Sequence, residues 1–371
     1  MKVNSEVRFD TVAVIKSPKK QFEEFAKKNY GGHREPQGTA TLYLWKAVQY
    51  IKQKIEGLKE HNGVKPPKAI HLYLLNDGSP NALATKFGDE YFIGINFGAM
   101  MLIIDFYLFA MRSPDCFTSI GEPCKEDAPT ETFSFFEDMN ELAYAKHEPT
   151  FPNCDERSAF GLFLAARSLQ FLLAHELNHI YCGHVGFWKS KLGSQLPITE
   201  CFLQALSNEE NKIRKILEWD ADQIAINGCI IVNVAYRESR AGLEGLPDVS
   251  NSKYDEVFWS VYSAIVMIFL LGEFERRTKL KSEAYPTCAE RSANIALVAS
   301  KVVEMNQYTP NQFPAQDAFS QAAKDYITFS NSTPFDIEDL IGSSEPKKMA
   351  KQWGELANEL APHAYQSVDR R

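Results

Sequence analysis

Residues 159–184, AFGLFLAARSLQFLLAHELNHIYCGH, constrain this chain more than any other stretch. Apolar residues recur there at helical spacing, so the segment reads as a long helix that other elements must cover. Phe171, Leu172, Leu173 and Ala174 bury it just before His175, Glu176 and His179. Residues four apart on a helix share a face, about one turn along. Two imidazoles at that spacing can reach the same ion. Zinc accepts neutral imidazole nitrogen, and a catalytic zinc site keeps one position for water. Glu176, one residue round the helix, is placed to take a proton from that water. Chance alone would put an HExxH string in roughly one such chain in a hundred. The bland alternative is a histidine pair with ordinary surface or core hydrogen bonds.

A third ligand is needed, and three kinds of candidate can be compared. His184 extends the string to HELNHIYCGH, but the metzincin spacing would need Gly and His where Cys182 and Val185 stand. His184 therefore reads as a residue behind the ligands or a helix terminator, with a plain surface role as the alternative. A cysteine ligand of the peptide deformylase type would need an upstream motif. The comparable string, Asn227-Gly228-Cys229, lies downstream. Glu218 is the best candidate. In Glu218-Trp219-Asp220-Ala221-Asp222, positions 218 and 222 share a helical face beside an apolar stripe that includes Ile213, Leu217 and Ala221. Carboxylates at the margin of a buried face need partners. Glu218 can complete a His2Glu site, and Asp222 can accept the remaining N–H of a ligand histidine, fixing its tautomer. Against this stands a solvated face with i,i+4 charges.

HExxH followed by ExxxD on a second helix resembles the gluzincin metallopeptidases. In detail the chain resembles soluble relatives of the CAAX prenyl and heat-shock membrane proteases, and the phage-exclusion (Lit-type) peptidases. Asn81-Ala82-Leu83-Ala84, before the strand holding Ile93 and Ile95, resembles the NAxA turn and edge strand of the first group. That edge would lie over the active site, where a substrate adds as an extended strand. Tyr285-Pro286 with Arg291 resembles its HPxxxxR segment, with Tyr285 where many relatives carry His. The resemblance implies that Tyr285 donates a hydrogen bond to a developing oxyanion or only packs. It spans roughly residues 68–300 and leaves both ends of the chain unexplained.

The rest of the chain reads as an ordinary globular protein: 371 residues, 44% hydrophobic and 24% charged. A formal charge of −8 argues against nucleic acid as main partner, because phosphate binding needs a basic face. Seven cysteines without a CxxC pair indicate neither a disulfide framework nor a zinc knuckle, and a reducing, cytoplasmic setting is the simpler reading. Cys182, beside the motif, is either redox-sensitive or an inert buried thiol. The N-terminus lacks a secretory apolar stretch. Residues 257–272 are strongly apolar but fall short of the ~20 residues a membrane span needs, so we read a buried core helix and no stable membrane insertion.

Helical spacing predicts helices at 41–59, 99–112, 159–184, 207–227, 255–277, 288–305, 316–329 and 346–360, with strands at 69–75 and 91–97 and a loop at 76–90. Ser207 and Glu210 form a capping pattern. Residues 113–155 read as an insertion with one short helix at 135–144. The expected fold is α+β, mainly α: a gluzincin-like core at 61–305 with a small N-terminal mixed sheet, a helical N-terminal extension at 1–60 and a helical C-terminal extension at 306–371. The expected function is a zinc endopeptidase of narrow specificity acting on a protein or peptide, with a regulatory partner as one route to control. The rivals are a zinc-stabilised regulatory or binding protein without turnover, and a zinc-free interaction protein.

Overall fold

The computed structural model describes residues 17–61, 63–64, 67–127, 129, 133, 149–192, 198–199, 207–239, 256–278, 286–306, 314–330 and 361–364, together with 351, 356 and 359. The expected helix at 135–144 and most of that at 346–360 lie outside the described residues, as does Tyr285. The described elements are mainly helical with a small mixed sheet. They run α1 Pro18–Tyr30, α2 Thr39–His61, β1 Ile70–Leu75, β2 Ala82–Phe87, β3 Glu90–Asn96, α3 Phe97–Met111, α4 Asp155–Tyr181, α5 His184–Leu192, β4 Ile198–Thr199, α6 Asn208–Ser239, α7 Glu256–Thr278, α8 Cys288–Asn306 and α9 Pro314–Ser330.

The sheet order is β1-β3-β2-β4. β3 runs parallel to β1 and antiparallel to β2, and β4 pairs antiparallel with β2. This corrects two expectations. Residues 82–87 form a strand of their own within the expected loop. Gly88 and Asp89 close a two-residue hairpin, and the positive φ of Gly88, 58°, suits a loop with glycine at its first central position. As a result β3, with Ile93 and Ile95, is an interior strand rather than an edge: Ile93 pairs with Leu72 and Ala84, and Ile95 with Leu74 and Ala82. The outer side belongs to β2, next to Asn81, where, among the described residues, β4 pairs with Leu83 and Ala84.

The strands alternate in what they bury. Ala82, Ala84, Ile93 and Ile95 belong to the main core, while Leu83 and Phe92 face a smaller cluster with Phe22 and Ala26 of α1. α1, which the sequence reading left unassigned, begins at an N-cap Ser17 that accepts from Lys20 N, with proline in the first turn. It ends at a left-handed Gly31.

α4 is the axis of the fold, packed against α2, α3, α6, α7 and β2. It breaks earlier than its pattern suggests. Gly183, with φ 81°, donates its N–H to Ile180 O and ends the helix, so His184 opens a new one. α6 runs on past Gly228 to Ser239 because α4, α7 and α8 pack along it, and tertiary packing outweighs one glycine. α7 holds a window, Glu256–Phe274, apolar and long enough to cross a membrane by composition, of which 94% is buried among the other elements.

Part of the expected insertion is tied down by one side chain. Arg157, fully buried, donates through Nε to Met111 O, through Nη1 to Ile120 O, and through Nη2 to Ser113 and Cys116 O, at 2.8–3.0 Å. Glu126 lies 3.8 Å from its Nε and accepts from the backbone of Asn153 and Cys154. The 113–126 loop is thus pinned to the start of α4. Arg157→Met should leave these carbonyls buried without donors and cost about 3 kcal/mol or more. Urea unfolding checks this, and a loss under about 1 kcal/mol would contradict the pinning.

Candidate metal centre

Three donor groups meet in the core. His175 and His179 come from the last turns of α4, and Glu218 from α6, whose first turn is closed by the Ser207–Glu210 capping box. All three are fully buried, with their ligating atoms within 4.8 Å of one another. The two Nε2 atoms lie 2.9 Å apart. Glu218 Oε2 is 3.1 Å from His175 Nε2, and Glu218 Oε1 is 3.6 Å from His179 Nε2. Donors held about 2.0–2.1 Å from one tetrahedral ion stand roughly 3.3 Å from each other, so these separations fit a single small cation.

The remote nitrogen of each imidazole is also engaged. His175 Nδ1 faces Asp222 Oδ1 at 2.9 Å. Asp222 accepts two further bonds from Arg291, from Nε at 2.7 Å and Nη2 at 2.8 Å. A carboxylate only accepts, so His175 carries a hydrogen on Nδ1, and with a cation bound at the meeting point its Nε2 would present the lone pair. His179 Nδ1 lies 3.0 Å from His184 Nδ1, and His184 Nε2 lies 3.1 Å from Asp220 Oδ2.

Electrostatics favour a cation at the meeting point. Burial, only partly opposed by Glu218, holds His179 down at about 3, so it is neutral near pH 7. Burial alone would raise Glu218, yet Arg214 and the two histidines more than offset it and hold the carboxyl well below its usual range. Arg214 Nε sits 2.7 Å from Glu218 Oε1, with its guanidinium 5.5 Å over the Trp188 ring. Asp222 behaves likewise: burial pushes it up, and Arg291 and His175 bring it below the ordinary value. The inward-facing set is therefore a neutral His179 imidazole, the Nε2 of His175 and one carboxylate, the donor types of a zinc site.

Glu176 is fully buried beside this cluster. Tyr30, at the end of α1, is raised first by burial and then by Asp77 and Glu176, so its phenol keeps its proton near the Glu176 carboxylate. Sequence reasoning missed Tyr30, Asp220 and the partnership of Arg214 with Glu218. Arg214 was legible in principle, four residues before Glu218. Tyr30 was not, because its placement depends on α1 folding over the sheet. Of the expected substrate-strand residues, Asn81 and Ala82 stand at the start of β2, which packs on α4, while Ile93 and Ile95 lie inside the sheet. A second buried group, Cys182, His184 and Asp220, also holds its ligating atoms within 4.8 Å.

The segment from α3 to the end of α8 contains α4, α6 and Arg291, so every side chain of this cluster apart from Tyr30 lies within it. No curated protein and no solved structure matches the chain significantly. A family model does: the one described as Peptidase U49 matches residues 99–306. That match covers more than half of the 371 residues and encloses the whole of the HExxH helix and the helix that carries Glu218. The chain belongs to the Peptidase U49 family.

Proposed function

We propose that the chain is a zinc-dependent endopeptidase of the gluzincin type, in keeping with its resemblance to soluble relatives of the CAAX prenyl and heat-shock membrane proteases and to phage-exclusion peptidases. The observation that carries this reading is the convergence of His175 Nε2, His179 Nε2 and Glu218 in a dry core. These three residues would hold the ion. When bound, zinc lowers the pKa of a water towards neutrality and polarises a substrate carbonyl. Glu176 takes the proton of the attacking water and passes it to the leaving amine. Asp222 orients His175, and Arg291 holds Asp222 in its ionised form. Tyr285 is one donor for the developing oxyanion.

The substrate is a protein or peptide that aligns as an extended strand. β3 is interior, so the alignment falls to the outer side of β2 next to Asn81 and Ala82. We place the protein in the cytoplasm, with no nucleic-acid partner and control by a regulatory partner. Among the described residues, six cysteines are free thiols, as a reducing setting allows. The same site can be read as a zinc-stabilised binding protein without turnover, but a structural site has no need of Glu176.

Glu176→Gln separates these readings. It should keep one zinc per chain and lower cleavage by roughly 10²- to 10⁴-fold. New peptide termini in the native host, compared between wild type and this variant, would identify substrates. A variant that produces the wild-type set of termini would contradict the role of Glu176.

A pH dependence follows from His179. Its folded value of about 3 lies below the ordinary imidazole value, so the unfolded chain binds the extra proton first. The stability this contributes is fully present above about pH 6.5 and is lost as the pH falls from there towards 3. Metal-free wild type should therefore lose up to ~1.4 kcal/mol per pH unit from this group. Denaturant unfolding in chelator across pH 4–7 should show a shallower slope in His179→Gln. Equal slopes would contradict a neutral buried His179.

A further inference from the structure

We propose that Asp220 and His184 are positioning residues for His179, acting in series; the proposal rests on the metallopeptidase reading above. Hydrogen placement links the three side chains. Asp220 Oδ2 only accepts, and it lies 3.1 Å from His184 Nε2, so that nitrogen carries the hydrogen. An ion bound by His179 Nε2 requires the hydrogen of His179 on Nδ1, and His184 Nδ1 is then left as the acceptor. This atom faces His179 Nδ1 at 3.0 Å, so His179 must be the donor there. His179 is left with its lone pair on Nε2, the atom that faces His175 and Glu218. Through two rings, a carboxylate on α6 decides which nitrogen of a residue on α4 can bind an ion.

The arrangement explains several features together. The left-handed turn at Gly183, φ 81°, brings His184 round between His179 and α6. A methyl group on Gly183 would run into the backbone of His363 and Ala364, so the C-terminal turn closes over this bend. His363 is also held by Ser190, Nε2 to Oγ at 3.2 Å. His184 and Asp220 are both buried. The three acidic residues at 218, 220 and 222 then divide the work. Glu218 faces the ion site, Asp222 holds His175 directly, and Asp220 holds His179 through His184.

The competing use of these atoms is a second ion at Cys182, His184 and Asp220. Such an ion would take the lone pair of His184 Nε2 and move the hydrogen to Nδ1. His179 Nδ1 would become the acceptor, and its hydrogen would fall on Nε2, removing a ligand from the first site. The two occupations oppose each other through the ring pair, and the serial positioning role is the one compatible with His175, His179 and Glu218 binding.

The full-length chain tests this by zinc affinity, read by competition with a chromophoric chelator, and by the visible spectrum of the cobalt-substituted protein. Asp220→Asn exchanges an acceptor-only carboxylate for an amide that donates as well as accepts, so the hydrogen of His184 is no longer dictated, and it should weaken zinc roughly 10- to 100-fold and shift the cobalt bands. His184→Gln should bind better than His184→Ala, because the amide oxygen still accepts from His179 Nδ1. Links in series do not multiply, so Asp220→Asn with His184→Gln should bind no more weakly than His184→Gln alone. Asp222→Asn acts on the other imidazole, and its loss should multiply with that of Asp220→Asn. Should Asp220→Asn fail to fold, the ranking of the two His184 variants still decides. The proposal is overturned by wild-type affinity in Asp220→Asn, by multiplying losses for Asp220 and His184, by equal affinity of His184→Gln and His184→Ala, or by two ions per wild-type chain of which Cys182→Ser loses one. A wild type that binds one ion with Asp220→Asn unchanged removes the relay alone. A wild type that binds none removes the metal reading as well.

Discussion

Three electron-pair donors face each other at the centre of this protein, and the rest of the structure is arranged around that fact. His175 Nε2, His179 Nε2 and Glu218 lie between 2.9 and 3.6 Å from one another in a region closed to solvent. Acceptors pressed together in a low dielectric repel unless a cation lies between them. Burial keeps a proton off His179, and Arg214 and Arg291 keep the two neighbouring carboxyls ionised. An apolar core alone would not stabilise such a cluster. A divalent ion would, which is why a metal-dependent activity is what we propose for this member of a peptidase family.

The fold supplies rigidity where the cluster needs it. α4 is enclosed by helices and by the sheet, and Arg157 fixes its beginning through backbone carbonyls of the preceding loop. The end of α4 is fixed by the Gly183 bend, against which the turn at 361–363 packs. α6 runs alongside and delivers three carboxylates within two turns. With both helices packed in the core, the donors would be held in place for an ion, which is what makes an ion site tight and a proton-transfer group well aimed.

The legible part of this structure was the part written in helical periodicity. His175 and His179, and separately Glu218 and Asp222, are pairs at i and i+4, so a one-dimensional reading places each pair on one face. The long apolar helices were legible for the same reason. Asp220 was not, because it lies two residues from Glu218, roughly 200° round the helix, and meets its partner only after the chain bends at Gly183. α1 is short and rich in lysine and glutamate, so its Ser17-Pro18 start was the one clear signal, and it went unread. The β2–β3 hairpin carried a local sign, Gly-Asp between two alternating runs. Missing it made an interior strand look like an edge and put Ile93 and Ile95 where a substrate would bind. The pairing of β2 with β4 at Leu83 and Ala84 joins segments distant in sequence, which no local pattern announces.

X-ray absorption at the zinc edge of the purified full-length chain tests the central claim most directly. About one zinc per chain is expected, in a shell of nitrogen and oxygen only, near 2.0–2.1 Å, with the outer-shell scattering of two imidazole rings. A sulfur shell near about 2.3 Å would place the ion with Cys182 instead, and a chain that takes up no zinc would contradict the account outright.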